Sequence, residues 1–62
     1  MTYYNYHAKV KEKLLSGQLK TFKIVDEYNT IKPAMLLEFN DGKIYPIREH
    51  MWEHYFDIIN KL

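Results

Sequence analysis

Cysteine is absent from this chain of 62 residues. It can therefore hold no disulfide, no thiolate metal site and no thiol nucleophile. Secreted domains of this size are commonly braced by disulfides, so their lack favours a cytosolic location. Glycine and proline are scarce, with two residues of each. Gly17 and Gly42 stand alone, which excludes a glycine-rich phosphate loop. Ser16 is the single serine and abuts an expected helix end, a poor setting for a serine nucleophile with a histidine partner. Long hydrophobic runs are also missing. None approaches the roughly 20 residues of a membrane span, and none follows a basic start as in a signal peptide.

Aromatic residues are plentiful. Six Tyr, three Phe and one Trp make up 16% of the chain, which excludes a disordered polypeptide. The length allows one domain, 1–62, near the lower limit for folding on a single core. Nearly every large apolar side chain is needed inside it. The net charge of +1 is uneven. Residues 1–32 carry six Lys against Glu12, Asp26 and Glu27. Residues 33–62 carry Lys43, Arg48 and Lys61 against five acids. Halves of +3 (six minus three) and −2 (three minus five) are too mild to imply a polyanion partner.

The first segment, TYYNYHAKVKEKLLSG, has helical period: Tyr3, Tyr6, Val10 and Leu14 recur at three- and four-residue steps. Thr2 suits the N-cap and Gly17 the left-handed C′ position. QLKTFKIVDEYN has strand propensity, with Phe22, Ile24 and Tyr28 on one parity and Leu19 and Val25 on the other. That imperfect alternation points to a bulge. Asn29 suits a turn, and Pro33 forces Lys32 into extended geometry. AMLLEF is apolar on both parities, as a central strand is. NDGK signals a hairpin, and Pro46 assigns KIYPI to a sheet edge because proline cannot donate to a ladder. A three-residue turn at 40–42, with Gly42 in a left-handed bulge, aligns Met35, Leu37 and Phe39 with Tyr45 and Ile47. A two-residue turn would pair Phe39 with Ile44 and give a less coherent apolar face. REHMWEHYFDIINKL is again helical in period.

The expected fold is α+β in the order α-β-β-β-α: a three-stranded antiparallel meander with strand 2 central and two helices packed on one face. Val10, Leu14, Phe22, Ile24, Leu37, Phe39, Trp52, Phe56 and Ile59 are the expected core.

His50-Met51-Trp52-Glu53-His54 spells H-x-x-E-H. In those five residues it resembles the inverted zinc metalloproteases, which implies His50 and His54 as metal ligands and Glu53 as general base. That family also uses a glutamate far downstream, and no glutamate follows His54. With Trp52 at 0° and about 100° per residue, the apolar arc of Trp52, Phe56, Ile59, Tyr55 and Leu62, extended by Met51 and Ile58, centres near ~320°. His50 and His54 fall near ~160° and ~200°, on the opposite pole. The expectation is two solvent-facing imidazoles and no metal, cofactor or catalytic residue.

In topology the α-β-β-β-α order resembles the double-stranded RNA-binding domains, which implies phosphate contacts from a lysine cluster opening the last helix. Here those positions hold Arg48, Glu49 and His50. A stripe of Lys9, Lys11, Lys13, Lys20 and Lys23 beside Tyr4 is the alternative nucleic-acid surface. The preferred expectation is a non-catalytic cytosolic protein that binds another protein or itself. Its partner surface would be Leu36, Ile44 and Pro46 on the sheet face left open by the helices. An unpaired strand edge offers a second route.

Overall fold

A computed structural model describes residues 3–62, the side chains of Tyr3 and Tyr4 excepted. The expected N-cap at Thr2 and the expected roles of Tyr3 and Tyr4 lie outside that description. The order is α1 (Tyr3–Leu15), β1 (Leu19–Val25), β2 (Ala34–Phe39), β3 (Ile44–Arg48), a single 3₁₀ turn (Glu49–Met51) and α2 (Trp52–Asn60). The strands form one antiparallel sheet in the order β1-β2-β3, so β2 is central as its two-sided apolar sequence demands.

Two glycines end elements where a left-handed backbone is needed. Gly17, at φ +77°, follows α1, and its N–H donates to the Leu14 carbonyl at 3.0 Å. Gly42, at φ +85°, completes the three-residue turn. Phe39 N–H donates to Lys43 O at 3.0 Å and Gly42 N–H to Phe39 O at 2.9 Å. Asp41 Oδ1 accepts from Lys43 N–H at 2.9 Å, which stiffens the turn further. The register that follows pairs Met35 with Ile47, Leu37 with Tyr45 and Leu36 with Pro46. β1 carries the expected bulge: Leu19 pairs with Phe39 but Thr21 with Glu38, leaving Lys20 extra. Asn29 has φ 55° in a tight 28–31 turn, and the Lys32–Pro33 peptide is cis.

The core lies between the helices and one sheet face. Val10 and Leu14 of α1, Met35, Leu37 and Phe39 of β2, Ile47 of β3 and Tyr55 of α2 are fully buried together. α1 runs along β3. The Tyr6 hydroxyl donates to the Pro46 carbonyl at 2.9 Å, and the Tyr6 and Tyr45 rings meet edge to face at 6.0 Å. Toward the far end of α1, Lys13 pairs with Asp41 at 3.0 Å and lies over the Phe39 ring. α2 crosses from the end of β3 toward β1. Trp52 Nε1 donates to the Ile47 carbonyl at 2.8 Å, and Phe56 meets the Phe22 ring at 6.5 Å.

Three expectations are corrected. The final helix does not run unbroken from Arg48; residues 49–51 form the 3₁₀ turn first. Neither Arg48 nor Met51 makes a side-chain cap to the exposed N–H groups, so the tighter turn opens the helix. Phe22 and Ile24 face the helix side, paired with Leu37 and Met35, yet remain 43% and 51% exposed. The helix layer covers β2 and β3 and only part of β1. Trp52, Phe56 and Ile59 are half-buried around the core, whose centre is filled by Tyr55 instead.

Candidate functional site

Three surfaces bear on function: the histidines at the helix junction, the lysines, and the parts of the sheet left open. His50 and His54 are exposed, as the helical wheel requires. Nothing in the sequence brings His7 near them. The fold brings the ends together. α1 packs against α2, and His7 Nδ1 hydrogen-bonds with the Tyr55 hydroxyl. The Tyr6 ring stands edge-on to His7 at 5.4 Å. The His7 imidazole is held below its ordinary value, first by desolvation and then by Lys11, His50 and His54. The charges of His50 and His54 thus reach His7 across the helix junction. Among the described residues no group of three His, Asp or Glu side chains is arranged to hold a metal ion.

Burial also shapes the tyrosines. Tyr6 is pushed up to about 12, chiefly by desolvation with smaller contributions from Tyr45 and Tyr28. Tyr55 is pushed higher still, again by desolvation first. Both phenols stay protonated at neutral pH and serve as hydrogen-bonding groups between elements.

The lysines do not form one stripe. Lys9, Lys11 and Lys13 ride on α1, and Lys13 is engaged by Asp41 and by the Phe39 and Tyr45 rings. Lys23 pairs with Leu36, so it points to the sheet face away from the helices. Lys20 is the bulge residue of β1.

The sheet face away from the helices is less open than expected. Leu36 is buried rather than exposed. As the middle residue of a central strand it is flanked directly by Lys23 on one side and Pro46 on the other. Pro46 is half-buried, and of the expected trio only Ile44 is exposed. The larger apolar exposure lies at β1, where Phe22 and Ile24 form a ledge on the helix side beside half-buried Phe56.

The two sheet edges differ. Phe39 and Lys43 form a hydrogen-bonded pair at the turn. In an antiparallel ladder such pairs alternate, so Leu36↔Pro46 is a non-hydrogen-bonded pair, and Pro46 turns its backbone outward. Proline has no N–H to leave unpaired there, and its carbonyl is taken by Tyr6. By the same alternation β2 turns Ala34, Leu36 and Glu38 toward β1. Phe22 and Ile24 therefore turn their own N–H and C=O groups to the outer edge of β1. The sequence signalled the edge proline but not the uncovered ledge, which depends on where α2 lies. No helix among the described residues is long and apolar enough to cross a membrane. Compared with known proteins, the chain matches no family model, no curated protein and no solved structure.

Proposed function

We infer that this protein is a non-catalytic interaction module whose binding surface is β1. One observation carries the reading: Phe22 and Ile24 are about half exposed on a strand whose outer backbone groups have no ladder partner among the described residues. Main-chain groups supply affinity in strand addition, and the flanking apolar side chains supply area and specificity. The opposite edge is blunted by Pro46 and Tyr6, which leaves β1 as the side for an incoming strand. Nucleic-acid binding through Lys9, Lys11, Lys13, Lys20 and Lys23 is the less favoured reading, since these cations are divided between α1 and the sheet and Lys13 is already engaged.

A photo-crosslinking residue at Ile24, with Glu53 on the exposed face of α2 as the control position, tests this in cells. A discrete crosslinked species from position 24 and none from position 53 is expected. No product at 24, or the same products at both, overturns the reading.

A further inference from the structure

We propose that Asp41–Gly42 is a site of spontaneous isomerisation to isoaspartate, which the folded turn suppresses with Lys13 as its clasp. This chemistry is independent of the interaction reading above. Asp41–Gly42 is the chain's single Asp–Gly or Asn–Gly pair. Glycine has no Cβ, so its amide nitrogen is unhindered in attacking the carboxyl carbon of the residue before it. In that step the Gly42 nitrogen bonds to Asp41 Cγ, and the amide proton and the carboxyl hydroxyl leave together as water. The five-membered imide then takes water back at either carbonyl. Addition at Cγ breaks the new bond and restores aspartate. Addition at the main-chain carbonyl breaks the original peptide bond instead, and the chain then runs through Cγ as isoaspartate.

The fold opposes each part of the first step. The Gly42 N–H donates to the Phe39 carbonyl at 2.9 Å, so the proton that must leave is engaged. Both carboxyl oxygens are held as well, Oδ1 by the Lys43 N–H at 2.9 Å and Oδ2 by the Lys13 ammonium at 3.0 Å. One of these oxygens must depart, so closing the ring breaks at least one contact. Loss of water also needs the neutral acid. The Asp41 carboxyl is held below its ordinary value, first by the Lys43 N–H and then by Lys13. Lys13 is itself steadied over the Phe39 and Tyr45 rings. Unfolding releases all of these contacts together, so the reaction belongs to the open chain. Its product does not suit the turn. Isoaspartate adds one backbone carbon to a three-residue turn whose length sets Leu37 against Tyr45. Each event therefore weakens the fold that had suppressed it.

Peptide mapping of the full chain, incubated warm at neutral pH, reads the outcome: an isoaspartyl peptide keeps the parent mass but separates on chromatography. Isoaspartate at position 41 should accumulate at least about tenfold faster in unfolding urea than in buffer, because the open form is rare in the native state. Lys13→Met keeps an apolar stem against the rings and removes the clasp, and it should react several-fold faster than the parent in buffer. Tyr55→Phe weakens the helix junction but leaves the turn contacts in place, so it controls for lost stability. Each rate is divided by the unfolded fraction from that variant's own melt. No isoaspartate at 41 in urea overturns the site. Equal rates in urea and in buffer overturn suppression by the fold. A corrected rate for Lys13→Met no higher than that for Tyr55→Phe overturns the clasp.

Discussion

The His7 imidazole of α1 meets the Tyr55 hydroxyl of α2 through Nδ1, joining the two ends of the sheet's helical cover. Tyr55 is fully buried, and the side-chain hydrogen bonds near it leave no buried polar side-chain atom unpaired among the described residues. Removing the hydroxyl while keeping the ring isolates this contact. Tyr55→Phe should lower stability by about 1 kcal/mol, the net worth of one neutral hydrogen bond. Urea denaturation followed by Trp52 fluorescence measures it. A midpoint equal to that of the parent protein would show that the contact contributes nothing.

The same junction predicts a pH dependence. The folded state holds His7 below its ordinary value, whereas the unfolded chain leaves it near 6.5. The unfolded chain therefore binds the proton more readily. His7's contribution is complete above about 6.5 and is lost as the pH falls from there through the lower folded value. Urea midpoints should fall between about pH 7.5 and about pH 5.5. In His7→Gln that fall should be smaller, and an equal fall would remove His7 as its source.

The turn glycines should be sensitive although nothing crowds them. A Cβ at Gly17 or Gly42 would meet no atom within 4 Å, yet both lie at positive φ. Gly17→Ala and Gly42→Ala should each cost about 1 kcal/mol through backbone strain alone. Gly42→Asn should cost less, since asparagine tolerates the left-handed region better. Thermal melts of the three variants decide whether conformation rather than space is at stake.

Two phenylalanines should differ sharply. Phe39 is fully buried among Leu14, Leu37 and Tyr45, whereas Phe22 lies half open on β1. Phe39→Ala should cost about 3–5 kcal/mol, enough to unfold a domain of this size at ambient temperature. Phe22→Ala should cost no more than about 1 kcal/mol. Similar losses at the two sites would contradict the placement of α2 away from the outer edge of β1.

Much of the fold was legible because its signals are local. The two-sided apolar run at 34–39 announced a central strand, Gly42 announced the turn length, and Pro46 announced an edge. The turn length then determined which side chains share a face. What stayed hidden depends on how the layers meet. Phe22 and Ile24 have the parity of core residues, and only the path of α2 leaves them uncovered. Leu36 has the parity of an exposed residue, and only its neighbours on both flanks bury it. Tyr55 lay within the apolar arc of its helix, but its place at the centre follows from α1 packing against α2. The approach of His7 to His50 and His54 follows from that packing too.

The Pro46–Tyr6 contact also limits how far any assembly of sheets can grow. A strand arriving at β3 finds at Pro46 no donor and an acceptor already engaged by the Tyr6 hydroxyl. Stacking by edge addition, the route by which fibrils lengthen, needs two receptive sides on every molecule. In this molecule one of the two is interrupted at Pro46, which disfavours growth through that edge.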